Sequence, residues 1–136
     1  MTLKTLTTLL IFSFFVTIPQ IKAQEDIKIK IMNATHLENH QVVIALKTPG
    51  ESDPVVVETV DLGKFRDYTN VSVPHSEQIF LFVIPSSTTI EKLNPVPSDY
   101  TAKLYPLGMD GVKGCNIVIS GDHIDDVHYN MTNIQW

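Results

Sequence analysis

The chain has 136 residues, the length of one domain, and its 10 Lys+Arg and 15 Asp+Glu give a formal net charge of −5 at pH 7. The phosphate backbone of a nucleic acid repels a protein with this net negative charge, and no Lys/Arg cluster offsets the repulsion. Nucleic acid is therefore an unfavourable partner. The single cysteine, Cys115, leaves no internal disulfide, and its apolar surroundings predict a buried, unreactive thiol.

Residues 1–23 have the pattern of a secretory signal peptide. Lys4 supplies a positive start, residues 9–16 an apolar centre, and Ala23 a small residue before the cleavage point. The apolar stretch is short for a bilayer-spanning helix, although a retained anchor stays an alternative. We therefore predict a single domain over residues 24–136. We expect it to be exported to the periplasm, the cell surface or the medium, with no stable membrane span after cleavage.

Short segments rich in β-branched residues, separated by Gly and Pro, predict strands along the whole domain. Alternating apolar positions indicate strands over 26–33, 41–47, 55–62 and 65–73, with residues 33–39 as a polar turn. Later strands are predicted over 100–105, 115–120 and 127–132. Ile134 and Trp136 are expected to continue the last of these patterns.

The unbroken apolar run within 78–85 predicts a central strand buried on both faces, because a strand with one solvent-exposed face would alternate apolar and polar residues. One face would meet the opposite sheet. We expect the Pro-rich segment 86–99, with one helical turn near 89–93, to cover the other. About eight short strands without a long amphipathic helix predict an antiparallel β-sandwich, immunoglobulin-like in the loose sense, with a small β-barrel as the alternative.

Two segments contain side chains that could bind a divalent metal, since imidazole and carboxylate are common ligands. These candidate ligands are His36, His40, His123, Asp125, Asp126 and His128. Their spacing matches no established metal-binding loop, so a solvated acidic turn and surface histidines are the competing interpretation. No other cofactor is predicted.

No complete catalytic set is visible, and the Gly-x-Ser-x-Gly elbow of many hydrolases is absent. Three Asn-x-Ser/Thr triplets begin at Asn33, Asn70 and Asn130, and each asparagine is a candidate glycan acceptor if the host is eukaryotic.

Two segments carry a resemblance to a known family. One is Ile29-Lys30-Ile31-Met32-Asn33-Ala34-Thr35 with the strand that follows it, and the other runs from Val60 through Gly63 and Tyr68 to Val73. They resemble exported bacterial immunoglobulin-like domains of unknown function, whose first strand ends in Asn-Ala-Ser/Thr and which have a later Gly-x-x-x-x-Tyr-x-x-Val turn. The resemblance implies a sandwich and export, and it transfers no active site. The chain departs from the family at His75, Ser76 and Glu77, where a Gly is usual.

These observations predict a non-enzymatic exported module that binds a protein or a glycan at the cell surface or in the periplasm. One alternative is a metal-binding protein or hydrolase that uses the His/Asp residues. Another is a subunit of a surface polymer or an exopolysaccharide accessory protein, which would show as a long unpaired edge strand or an unpaired N-terminal segment.

Overall fold

The computed structural model describes residues 25–47, 53–93, 96–101 and 103–136. Its eight strands are β1 (Ile27–Thr35), β2 (His40–Leu46), β3 (Val55–Asp61), β4 (Tyr68–Val73), β5 (Gln78–Pro85), β6 (Tyr105–Gly108), β7 (Gly114–Gly121) and β8 (His128–Gln135). Sheet A has the order β4-β1-β7-β8 and sheet B the order β3-β2-β5-β6. The sandwich prediction is confirmed, and the sheets do not close into a barrel. Strand neighbours are antiparallel except β1 and β7, which are parallel.

The main core lies between the two sheets and follows the predicted alternation. Ile27, Ile29 and Ile31 of β1 are buried there, and so are Ile117 and Ile119 of β7. Because successive side chains of a strand point to opposite faces, these odd-numbered positions place the even-numbered residues of both strands on the outer face of sheet A. The buried residues of β2 and β5 in this core are Val42, Ile44, Ile79, Leu81 and Val83.

A second, smaller core covers the outer face of sheet B, as the continuous apolar run of β5 predicts. Its buried residues are Val43, Val56, Phe82, Ile84, Leu93 and Val96. The Tyr100 ring stacks on Phe82 at a centroid distance of 5.9 Å, so the segment after β5 covers the strand through an aromatic contact. A 3₁₀ turn over Ile90–Leu93 confirms the predicted helical turn. Strand β2 is also buried on both faces, which its alternation did not indicate.

The predicted strand over 100–105 is wrong. A short helix spans Ser98–Thr101, and the strand begins only at Tyr105. Pro106 lies within β6, between the strands predicted over 100–105 and 115–120. Proline is compatible with this place because β6 is an edge strand with a neighbour on one side only.

The expected continuation of β8 to Trp136 is also wrong. The β7–β8 register shifts between Gly114 and Asn116, and Asn133 has a φ of 49°. An irregularity of this kind changes which side chains face inward. Ile134 therefore packs on the core after Tyr129 and Met131, whereas Trp136 is 71% exposed.

Four connections meet where the C-terminal end of β1 lies beside the C-terminal end of β7, with Thr35 opposite Gly121. We call this the upper end, and its connections are residues 36–39, 62–67, 122–127 and the described part of 86–104. Among the described residues, no helix is long and apolar enough to cross a membrane. The predicted signal peptide, residues 1–23, lies outside the described residues.

Candidate functional site

A buried asparagine joins two connections of the upper end. Asn33 is 1% exposed, and its Nδ2 donates to the carbonyl of Gly63 at 3.0 Å. Its Oδ1 accepts from the Thr35 amide at 2.8 Å and from the Thr35 hydroxyl at 2.7 Å. The polar residues that predicted a turn at 33–35 instead extend β1, because their side chains satisfy one another inside the core.

Backbone hydrogen bonds hold the same two connections together. The Asn33 amide donates to Asp67 O at 2.8 Å, and the Arg66 amide donates to Asn33 O at 2.7 Å. The Leu62 amide donates to His40 O at 3.0 Å. Loops 36–39 and 62–67 are therefore fixed to each other by main chain as well as side chain, which limits the conformations that they can adopt.

Three residues of these loops have a positive φ: Asn39 at 56°, Gly63 at 73° and Arg66 at 72°. This region is uncommon for side chains other than Gly and Asn, and Arg66 is held there by its hydrogen bond to Asn33. Conformations of this kind persist only where the surroundings determine them, and they concentrate at functional sites.

The two loops enclose a groove of about 680 Å³. Phe65 lines it and is 46% exposed, although it is one of the largest apolar side chains of the chain. Its ring stacks on His36 at a centroid distance of 4.8 Å, and the Arg66 guanidinium lies 5.2 Å from the ring centroid. The charged or titratable side chains along the groove are His36, Glu38, His40, Asp61 and Lys64.

The candidate metal ligands fall into two groups. His36 and His40 line the groove, where His36 stacks on Phe65 and the His40 ring Nδ1 lies 2.6 Å from Glu38 O. The others belong to the β7–β8 connection. There His128 Nε2 lies 3.0 Å from Asp126 Oδ1, and Asp125 pairs with Lys103 Nζ at 3.6 Å.

His123 is exposed and precedes the 3₁₀ turn Ile124–Asp126 without a capping side-chain hydrogen bond. The pairing of Thr35 with Gly121 brings both segments to the upper end. In the part of the chain that the structure describes, no three His, Cys, Asp or Glu side chains form a group that could hold a metal ion. The geometry of the described residues thus places the two histidines of the first segment in the groove and gives no metal centre.

The three Asn-x-Ser/Thr asparagines have different environments. Asn33 is buried and its amide is hydrogen-bonded to Thr35 and Gly63, so its side chain is inaccessible in the folded domain. Asn70 and Asn130 are exposed on β4 and β8 of sheet A, where a modifying enzyme could reach them.

Among the described residues, Cys115 and Tyr129 have side-chain pKa values that burial shifts. Cys115 is buried, as predicted, and burial raises the pKa of its thiol, which disfavours the reactive thiolate. Burial also raises the pKa of Tyr129 far above its usual range, against the opposing effect of a hydrogen bond from the Val83 backbone. The Tyr129 ring lies 5.1 Å from that of Tyr105, between edge strands of the two sheets.

No family model, curated protein or solved structure matches this chain. The resemblance to exported immunoglobulin-like domains therefore stays a prediction. The sequence pattern did not identify Phe65 and Arg66 as site residues, because both lie in the strand predicted over 65–73. A large apolar residue between charged ones directly after Gly63 is the signal that could have identified an exposed turn.

Proposed function

We propose that this chain is an exported, non-enzymatic β-sandwich module that binds a protein partner through the groove between loops 36–39 and 62–67. The observation that carries the proposal is the exposed Phe65 ring, which stacks on His36 and lies close to the Arg66 guanidinium on loops fixed by hydrogen bonds. Aromatic and arginine side chains dominate the binding energy of protein interfaces. A site fixed before binding loses little conformational entropy when the partner docks.

The charges around the groove favour a protein over a glycan. Glu38 and Asp61 line the same groove as Lys64. Arg66 follows Phe65 in the turn. Such a mixture of signs suits a peptide surface that itself carries both signs.

The pairing of β1 favours a binding module over a polymer subunit that donates its N-terminal strand. β1 is hydrogen-bonded to β4 on one side and to β7 on the other, so this strand is not free to join another subunit. The export part of the proposal is supported by the pattern of residues 1–23 alone. N-terminal sequencing of the protein recovered from outside the cytoplasm should begin at Gln24.

Site-specific photo-crosslinking tests the groove directly. A photo-reactive amino acid replaces Lys64 beside Phe65 or, as the control, the exposed Asp110 of the β6–β7 connection. We expect envelope and extracellular extracts of the producing organism to give a protein adduct at position 64 that is absent at position 110. The adduct should disappear with Phe65→Ala.

Equal adducts at both positions, or an adduct that survives Phe65→Ala, would contradict the proposal. A glycan array probed with the same proteins distinguishes the other ligand class. Glycan binding that Phe65→Ala abolishes would replace the protein partner by a sugar.

A further inference from the structure

The outer face of sheet A carries a second surface, far in sequence from the loops of the groove. Lys30 of β1 lies opposite Asn70 of β4 on one side and Asn116 of β7 on the other, and Asn116 lies opposite Thr132 of β8. Side chains directly opposite each other share one face of a sheet. A row of one lysine, two amides and a hydroxyl therefore crosses all four strands.

A shallow hollow of about 660 Å³ lies on this face. Lys28 and Lys30 line it, together with the amides of Asn70, Asn116, Asn133 and Gln135, and none of its lining residues is a carboxylate. At this hollow the pairing of β7 with β8 is irregular, since its register shifts between Gly114 and Asn116 and Asn133 has a positive φ. We call this surface the lysine–amide face.

Both lysines are available to an anion. Lys28 Nζ donates to Ser72 Oγ at 2.8 Å, and Lys30 Nζ lies 4.0 Å from the centroid of the Tyr68 ring. Among the described residues, neither ammonium group is in an ion pair. Asp26, which precedes β1 and is the nearest acid to Lys28 in sequence, lines a different hollow. Two unpaired cations thus share a carboxylate-free face on a chain of net charge −5.

We propose that the lysine–amide face binds an acidic polysaccharide, a polymer whose sugar rings carry carboxylates. Lysines two residues apart on a strand lie ~7 Å apart and can each meet a separate carboxylate. The amides provide donors and acceptors for sugar hydroxyls. Tyr68, which is 58% exposed at the edge strand, provides an aromatic surface beside Lys30.

The same features disfavour the other polyanions. Nucleic acids and anionic membranes attract clusters of several basic side chains, and this face has two on a chain that is acidic overall. A uronate polymer spaces its charges among neutral hydroxyls, which matches two lysines among four amides. This site is independent of the groove, so it can fail or succeed without the proposed function.

Isothermal titration calorimetry with unglycosylated full-length protein tests the proposal. The probes are an oligogalacturonate and an alginate oligomer, with a maltodextrin of equal length as the neutral control. Lys28→Gln/Lys30→Gln is compared with Lys47→Gln/Lys103→Gln, which removes the same charge at two exposed lysines outside both sites. We expect binding of at least one acidic probe and none of the neutral one. The face variant should weaken that binding at least about tenfold and the control variant less than about twofold.

Binding to neither acidic probe, or equal loss in both double variants, would overturn the proposal. Tighter binding to phosphatidylglycerol vesicles or to a single-stranded DNA oligomer than to the acidic sugars would also overturn it. Asn116→Ala keeps the net charge unchanged and should still weaken the acidic sugar severalfold. Unchanged binding by that variant would show attraction by charge alone and refute the site. Thermal unfolding of every variant verifies that it is folded.

Discussion

The side-chain amide of Asn33 donates to the carbonyl of Gly63 across 3.0 Å, and this bond joins the two sequence motifs that carry the family resemblance. Asn33 belongs to the motif at the end of β1, and Gly63 begins the turn that precedes β4. One amide serves as a donor to Gly63 and as an acceptor for Thr35. The two motifs are thus parts of one structural unit at the base of the groove.

Replacing Asn33 should lower the stability of the domain far more than replacing an exposed asparagine. Asn33→Ala removes the acceptor of the Thr35 amide and hydroxyl and the donor to the Gly63 carbonyl, and we expect a loss of about 2–3 kcal/mol in the free energy of unfolding. Asn70→Ala, at an exposed position of β4, should stay within about 0.5 kcal/mol. Urea denaturation measures both. Similar values for the two variants would refute the structural role of Asn33.

The smaller core on the outer face of sheet B should contribute to the stability of the domain as the main core does. Phe82 is buried under Tyr100, and we expect Phe82→Ala to cost about 3–5 kcal/mol of unfolding free energy. Phe65→Ala removes the same ring from an exposed loop and should cost less than about 1 kcal/mol. Chemical denaturation measures the free energy of unfolding of both variants. A mild Phe82→Ala effect would mean that the segment after β5 does not cover the sheet.

Tyr129 should make stability fall at alkaline pH. Its pKa is raised in the folded state from the usual value of 10.0, so the unfolded chain releases this proton first. The contribution is complete below pH 10 and is lost as the pH rises toward the folded-state pKa. Tyr129→Phe should therefore lose less stability between about pH 9 and 11 than the wild type, while the exposed control Tyr68→Phe should follow the wild type. Parallel curves of unfolding free energy against pH for the wild type and Tyr129→Phe would contradict this.

Two glycines give a matched pair for the turn geometry. Gly121 has a φ of 125°, and a Cβ there would collide with the Asp126 carbonyl oxygen, a main-chain atom that cannot move aside cheaply. We expect Gly121→Ala to destabilise the domain by more than about 2 kcal/mol. A Cβ at Gly108 meets nothing within 4 Å, so Gly108→Ala should be close to neutral. Thermal unfolding measures both, and an equal fall in melting temperature would contradict the close approach of Gly121 to Asp126.

Local patterns predicted the elements whose burial is continuous or strictly alternating. β5 has no polar residue between its two ends, so the local sequence predicted both its bounds and its burial on two faces. β6 was missed because Pro106 is typical of a loop until its edge position is known. The groove was missed for a different reason. The buried Asn33 side chain bonds to Gly63, 30 residues later in the sequence, and a local sequence pattern does not reveal a contact between residues so far apart.

The parallel pairing of β1 with β7 has a consequence for the order of assembly. Ile31 near the start of the domain lies opposite Ile117 near its end, so β1 lacks one of its two neighbours until almost the whole chain has been made. Contacts between residues so distant in sequence slow folding, because a long loop must close before the pairing forms. Sheet A therefore completes late, because β1 gains its second neighbour only when β7 has been made.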